Sequence, residues 1–230
     1  MSPNPILEKT SVPAPRITLS DFSREILDRD YLIMEFLPGF SGRFEDAELG
    51  RHVREIHAIK GELFGYPERA APTGQAWPAL FSEYTGLILK DCLDCGIMEA
   101  DEHAWFDEVY ARNMGAVKDC EPCLLHLDLW TQNILTEDGR ITAVLDFDRG
   151  LYGDPELEFA VLDTYGYSSA AFFNGYGQPR PDGSEAAVRQ VLYIVYEFIK
   201  YAYIRNARGG SYGTGRHHLE QCQRLLGQLA

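Results

Sequence analysis

The sequence lacks any long apolar run and any recognisable export signal. No stretch approaches the roughly 18 consecutive apolar residues that a membrane-spanning helix needs. The first residues, Met-Ser-Pro-Asn-Pro, carry neither the basic flank nor the apolar segment of a signal peptide. We therefore expect a cytoplasmic protein that has no membrane partner.

Basic residues are also scarce. The chain has 21 Lys and Arg against 35 Asp and Glu, which gives a formal net charge of -14. Proteins that bind nucleic acid present basic faces to the phosphate backbone, so this balance argues against nucleic acid as a partner. An acidic chain suits a cationic small substrate, but acidity alone identifies no substrate.

Cysteine is limited to five residues, an odd number that favours reduced thiols over a disulfide framework. Four of them form two Cys-x-x-Cys pairs, Cys92 with Cys95 and Cys120 with Cys123. Such pairs can hold structural zinc, but the separation between these two is longer than is usual in zinc ribbons. We favour cysteines that pack in the core and keep zinc as the alternative.

Hydrophobic periodicity predicts an α+β chain, and 230 residues suffice for one domain or a small two-lobed unit. A short helical piece is predicted within 1–13, followed by strands at 16–19 and 30–36. The body of the chain is predicted to be mostly helical. The predicted helices cover 46–60, 78–95, 100–114, 155–165 and 185–207, with a terminal amphipathic helix after a glycine loop at 209–215.

The most informative stretch runs from residue 124 to residue 160. An apolar run enters a polar turn that holds His126, Asp128 and Asn133, and a hairpin then leads to Asp146. A carboxylate that accepts a hydroxyl proton, beside an amide and a carboxylate that bind magnesium, fits phosphoryl transfer. Taken one at a time, the same residues could simply cap turns, but their order and spacing favour a site.

The spacing His126-x-Asp128-x-x-x-x-Asn133, followed by Asp146, resembles the aminoglycoside phosphotransferase group of small-molecule kinases. The Leu-Asp-Leu-Trp-x-x-Asn sequence is also similar to fructosamine kinases. The resemblance implies a protein-kinase-like fold with Asp128 as the catalytic base and Asn133 and Asp146 as magnesium ligands. It implies that His126 supports the catalytic turn. Leu127 departs from the glycine that is usual there, so we expect an altered backbone at this position.

Two further segments carry the resemblance. Residues 32–39, Leu-Ile-Met-Glu-Phe-Leu-Pro-Gly, are similar to the hinge between the lobes of this fold. The resemblance implies that the carbonyl of Glu35 and the N–H of Leu37 face the adenine edge of ATP. The Gly-Asp-Pro segment at 153–155 matches a family motif that leads into a buried helix, with Glu158 in place of the usual Asp.

The phosphate-binding elements of this fold are not recognisable before the hinge. A glycine-rich hairpin normally covers the phosphates and a strand lysine holds them. Here no glycine precedes Gly39, and the only lysine before the hinge is Lys9, which we interpret as a surface residue. We therefore divide the chain into a shortened small lobe with the hinge, 1–39, and a helical lobe, 40–230.

Two functions remain open from the sequence. The first is an ATP- and magnesium-dependent phosphotransferase that acts on a hydroxyl of a small molecule, either aminoglycoside-like or another cationic compound. The second is a degenerate pseudokinase that binds or regulates, since the glycine loop and the lysine are not recognised. In either case the small-lobe strands would expose an apolar face, so we expect a homodimer through this region.

Overall fold

The computed structural model describes residues 7, 9–67, 69–70 and 74–230, so most of the helix predicted within 1–13 lies outside the described residues. Within these ranges the chain forms three small antiparallel sheets and a larger set of helices, which agrees with the predicted α+β class. The strands are β1 (Ile17–Asp21), β2 (Tyr31–Met34), β3 (Phe40–Ser41), β4 (Gly65–Tyr66), β5 (Arg69–Ala70), β6 (Cys123–Leu125), β7 (Ile134–Glu137), β8 (Arg140–Val144) and β9 (Leu151–Gly153). The helices are α1 (Asp46–His57), α2 (Trp77–Asp94), α3 (Ala100–Asn113), α4 (Pro155–Tyr165), α5 (Ala170–Tyr176), α6 (Ser184–Ala207) and α7 (Tyr212–Leu226).

Two of the sheets frame the stretch singled out from the sequence. The strand order is β3-β7-β8 in one sheet and β5-β4-β9-β6 in the other. The predicted hairpin is formed by β7 and β8, whose turn residues Asp138 and Gly139 have φ angles of 50° and 76°. Positive φ at both central positions matches the twist of a tight hairpin. The open end of the hairpin therefore carries Asn133 and Asp146 side by side.

The first two strands form a separate hairpin that is poorly covered. The register pairs Asp21 with Tyr31 and Ile17 with Met34. Several large apolar side chains on and beside this hairpin are exposed, among them Ile26 (78%) and Phe36 (88%). In the part of the chain that the structure describes, no third strand pairs with this sheet.

A chain of buried hydrogen bonds, the polar line, runs through Trp77, Tyr193 and Asp154 and joins the helices of the main core to the segment after β9. Trp77 is fully buried, and its Nε1–H donates to the Tyr193 hydroxyl at 2.7 Å. Tyr193 in turn donates to Asp154 Oδ2 at 2.7 Å. Asp154 also accepts the N–H of Glu156 at 2.9 Å and so caps α4, whose first residue is Pro155. Three helices are thus tied to the predicted Gly-Asp-Pro segment.

Most helix predictions hold, and two segments differ. The sequence did not predict α5, although Ser169 caps its start and Gly177 ends it in a left-handed conformation. This helix crosses α1 closely, because a Cβ on Gly50 would lie 2.1 Å from the Phe172 carbonyl oxygen. The predicted loop at 209–215 is shorter than expected, since α7 begins at Tyr212. None of the described helices is long and apolar enough to span a bilayer.

Candidate active site

The candidate site is built on the turn between β6 and β7. His126 is fully buried, and its Nε2–H donates to the Leu145 carbonyl at 2.9 Å. Its Nδ1 then accepts the backbone N–H of Asp128 at 3.2 Å. Both bonds require the neutral imidazole with the proton on Nε2, and burial lowers the pKa of His126 accordingly. His126 therefore holds the turn through hydrogen bonds to two backbone groups. Its role in catalysis stays a prediction.

Leu127 takes the backbone conformation that a glycine would take. Its φ is 62°, in the left-handed region, while its side chain is 1% exposed in the main core. A non-glycine residue in this region carries a backbone strain of about 1 kcal/mol, which the burial of a leucine side chain more than offsets. Leu127 thus adopts a left-handed conformation, and the burial of its side chain offsets the strain.

Glu158 of α4 holds this strained turn from below. Its carboxylate is fully buried and accepts the N–H of His126 at 2.5 Å and the N–H of Leu127 at 3.0 Å. His57 Nε2 of α1 lies 3.9 Å from Glu158 Oε2, and His57 Nδ1 contacts the Tyr176 hydroxyl at 3.0 Å. Burial alone would raise the pKa of Glu158, but His57 and His126 lower it overall. A charged, buried carboxylate thus anchors the loop.

Asp128 and Asn133 are joined directly. The Asn133 Nδ2 donates to Asp128 Oδ2 at 2.8 Å and to the Asp128 carbonyl at 2.9 Å. Both side chains are largely buried. Because the amide nitrogen is used in this way, the amide oxygen of Asn133 remains available as a ligand to a cation. The turn therefore presents a carboxylate and an amide oxygen in fixed relative positions.

Asp146 follows β8 and lies beside Asp148. Burial raises the pKa of Asp148, and the like charge of Asp146 raises it further. Asp146 has a φ of 65°, so the backbone turns sharply between strand and loop. Carboxylate and amide oxygens such as those of Asp146 and Asn133 are ligands that a hard divalent cation such as magnesium takes. Phe147 packs on His126 at 4.2 Å between ring centroids and links this loop to the turn.

Arg149 is part of the site although the sequence analysis did not single it out. Its Nη1 lies 3.1 Å from Asp128 Oδ1, and its guanidinium lies 6.0 Å from the centre of the Tyr201 ring in α6. Burial alone would lower the pKa of Arg149, but Asp128, Tyr201 and Glu197 raise it. Its position directly after Asp-Phe-Asp was a signal that could have drawn attention to it.

The predicted hinge residues lie in the segment that joins β2 to β3. Glu35 is exposed and Leu37 is half-buried, both in the extended segment after β2. The next residue, Pro38, accepts a hydrogen bond from Thr142 Oγ1 of β8 at 2.8 Å. The segment is therefore attached to the hairpin that ends in Asn133 and Asp146. The role of Glu35 and Leu37 towards a nucleotide stays a prediction.

The cysteines pack as thiols. All five are free, and burial raises the pKa of both Cys92 and Cys123 to about 12. Burial thus favours the protonated thiol in the metal-free chain. In the described part of the chain, no group of three or more His, Cys, Asp and Glu side chains is arranged to hold a metal. The magnesium donor set proposed above therefore depends on the Asn133 amide, and oxygens of a bound phosphate or of water would have to complete it.

A model of the phosphotransferase enzyme family (APH) matches residues 4–184. A protein-ribulosamine 3-kinase of Arabidopsis thaliana is 27% identical over 186 residues, and the match covers 74% of this chain and 56% of that protein. A probable ketoamine kinase of Staphylococcus aureus is 28% identical over 204 residues, with 82% and 68% covered. The chain thus spans little more than half of the Arabidopsis relative.

Solved structures show the same fold at low sequence identity. A putative fructosamine-3-kinase of Haemophilus somnus has a TM-score of 0.71 at 19% identity, and the match covers 98% of this chain and 76% of that one. An aminoglycoside phosphotransferase APH(4)-Ia in complex with ADP and hygromycin B also has a TM-score of 0.71, at 16% identity, with 99% and 82% covered. The predicted kinase-like fold of this type is confirmed.

Proposed function

Because this chain belongs to the phosphotransferase enzyme family, we propose that it is a small-molecule kinase that transfers the γ-phosphoryl group of ATP to an acceptor hydroxyl. The observation that carries the proposal is the direct bond between Asn133 Nδ2 and Asp128 Oδ2. It keeps a carboxylate within 2.8 Å of an amide whose oxygen is left for a cation. A general base beside a metal ligand is what phosphoryl transfer requires.

In the proposed reaction the acceptor oxygen forms a bond to the γ-phosphorus while the bond between that phosphorus and the bridging oxygen of ADP breaks. The hydroxyl proton passes to Asp128, so the products are ADP and a phosphate monoester. Asp128 orients the hydroxyl and receives its proton, and His126 positions Asp128 through its backbone. Water is the competing acceptor, and the largely buried position of Asp128 limits its access.

Asn133 and Asp146 are the proposed magnesium ligands, and their positions at the open end of the β7–β8 hairpin support a cation at this place. A bound magnesium ion supplies charge neutralisation for the phosphates. The backbone of Glu35 and Leu37 is proposed to contact the adenine edge. In this reading residues 1–39 contribute to nucleotide binding, and residues 40–230 carry the catalytic loop and the acceptor region.

For the acceptor we propose the hydroxyl of a sugar that carries an amine. The names of the relatives, ribulosamine and ketoamine kinases, support this class. The net charge of -14 also suits a cationic compound, and aminoglycosides are the alternative acceptors within the same class.

The test begins with calorimetry of MgATP and of MgADP on the whole chain. Binding, followed by turnover of a glycated amine or an aminoglycoside in a coupled ADP assay, is the expected result. Asp128→Asn should then reduce turnover by on the order of 1,000-fold and leave the MgATP affinity unchanged. A variant that turns over as fast as the wild type would refute Asp128 as the base.

The second candidate is a pseudokinase that binds or regulates without phosphoryl transfer. It is favoured by the exposed position of Lys9, which the sequence predicts to be a surface residue. Absence of MgATP and MgADP binding in the same calorimetry would leave this candidate and remove the kinase.

We further propose that two copies associate through the β1–β2 hairpin. Its exposed apolar side chains support this proposal, since patches of this kind are rarely left open on monomers. A two-stranded sheet also offers edge N–H and C=O groups to a second copy.

A further inference from the structure

Both carboxylate oxygens of Asp128 are engaged. Oδ2 accepts from Asn133 at 2.8 Å, and Oδ1 forms an ion pair with Arg149 Nη1 at 3.1 Å. An acceptor hydroxyl must hydrogen-bond to Asp128 for the proposed transfer, and Oδ2 is held by the residue that also serves the metal. A hydroxyl that approaches Asp128 at Oδ1 therefore meets the guanidinium of Arg149.

The surroundings of Arg149 keep its side chain in the site when the acceptor hydroxyl approaches Asp128. Its side chain is 30% exposed, so the guanidinium is neither fixed in the core nor free in solvent. Tyr201 lies against its other side, and the Tyr201 hydroxyl contacts the hydroxyl of Tyr165 at 2.5 Å. A guanidinium that turns from Oδ1 is kept beside the base by its contact with the Tyr201 ring.

The negative charge around Asp128 can be neutralised by the guanidinium of Arg149. Asp128, Asp146 and Asp148 bring negative charge together, and a phosphoryl group adds more. A transferring phosphoryl group carries its charge on peripheral oxygens, and the planar fork of an arginine matches two of them. The phosphorus must also come to lie one bond from the hydroxyl oxygen that Asp128 holds, which is the region that Arg149 borders.

We propose that Arg149 is a further catalytic residue, whose guanidinium pairs with Asp128 before the substrates bind and contacts the transferring phosphoryl group during the reaction. This inference rests on the proposed kinase function. It differs from a structural ion pair, in which Arg149 would only fix Asp128, and from an acceptor contact, in which Arg149 would bind an anionic group of the substrate.

The experiment compares Arg149→Gln and Arg149→Lys with the wild type and with Arg112→Gln, which removes an exposed arginine paired with Glu108 in α3. Calorimetry measures the affinity for MgADP alone and for MgADP with fluoroaluminate, a mimic of the group in transfer. We expect Arg149→Gln to weaken binding of the fluoroaluminate complex by roughly 100-fold while the MgADP affinity changes little. Arg149→Lys should lie between the two, because it keeps the charge and loses the fork.

The readouts separate the proposals. Failure of the wild type to bind MgADP overturns the kinase function and this inference with it. Wild-type binding with equal fluoroaluminate affinity in Arg149→Gln overturns the role of Arg149 alone. A rise only in the acceptor KM, with unchanged kcat and fluoroaluminate affinity, identifies an acceptor contact instead. Circular dichroism of each variant checks that the fold is intact, and restoration of Arg149→Ala turnover by added guanidinium supports the inference.

Discussion

The Leu127 N–H donates to the carboxylate of Glu158 at 3.0 Å, across 31 positions of the chain. The same carboxylate accepts the N–H of His126. A residue of α4 therefore holds the turn that leads directly to Asp128. The position of the candidate base depends on a buried charge that does not itself enter the site.

Glu158→Gln tests this anchor. The Gln amide nitrogen is a donor, so it would face a backbone N–H where an acceptor is needed, and one buried donor would lose its partner. We expect the free energy of unfolding to fall by about 2 kcal/mol. Urea unfolding measures it, with the exposed Glu108→Gln as the control. Equal stability of wild type and Glu158→Gln would contradict the role assigned to the carboxylate.

Substitutions of Leu127 compare the free energy of its backbone strain with the free energy gained by burying its side chain. Removal of the buried side chain costs about 2 to 5 kcal/mol, whereas relief of the left-handed conformation returns only about 1 kcal/mol. We therefore expect Leu127→Gly to be destabilised overall. We also expect it to be more stable than Leu127→Ala, by up to about 1 kcal/mol, because alanine loses the side chain and keeps the strain. The reverse order in urea unfolding would show that the turn is not left-handed.

Because of His126, the protein should become less stable as the pH falls below about 6.5. Burial lowers the pKa of His126 in the folded state from 6.5, so below that pH the unfolded chain binds more protons than the folded one. The free energy of unfolding then decreases as the pH falls from about 6.5, and this contribution is constant above it. His126→Gln should reduce the slope between pH 7 and 5, and the exposed His217→Gln serves as the control. An unchanged slope in His126→Gln would exclude a neutral buried imidazole.

Asp146→Asn tests the proposed cation ligand. The substitution removes one charge of the pair formed with Asp148 and one carboxylate oxygen from the donor set. We expect the affinity for ADP in the presence of magnesium to fall roughly 10-fold or more, and the affinity without magnesium to change little. Asp138→Asn, in the β7–β8 turn, is the matched control. Equal losses with and without magnesium would argue against a metal ligand.

The hairpin proposal concerns the oligomeric state. Light scattering at micromolar concentration should give a mass above that of one chain, 26.0 kDa. Replacement of Ile26 and Phe36 by serine should reduce this mass, since each of them exposes most of its side chain. Leu87→Ser removes an exposed leucine of α2 and should leave the mass unchanged. A wild-type protein with the mass of a single chain would exclude the dimer.

The sequence was most informative where local chemistry determines the structure. The β7–β8 hairpin follows from alternating apolar residues around an Asp-Gly turn at 138–139, and α4 follows from Asp154 and Pro155 at its start. Because Asn133 and Asp146 flank the hairpin, their proximity could be predicted without tertiary information. The family resemblance added the fold, which the comparisons confirm.

The rest depends on tertiary packing. The short helix α5 has a cap at each end, but it is only seven residues long and contains Gly175, and it is stabilised by Phe172 and Tyr176 against α1. The contact of Arg149 with Asp128 joins residues 21 positions apart through a loop whose path the sequence does not determine. Likewise, His57 lies in an ordinary amphipathic helix, and its position beside Glu158 is visible only in the folded chain.

The polar line through Trp77 and Tyr193 has a spectroscopic consequence. Trp77 is fully buried with its indole N–H bonded, whereas Trp130 is half-buried two residues after Asp128. The two indoles therefore report different events. We expect the emission of Trp77 to change when the core unfolds, and that of Trp130 to change when a ligand binds beside Asp128. With Trp105 on α3 as the third indole, single Trp-to-Phe replacements would give this chain separate optical signals for folding and for ligand binding.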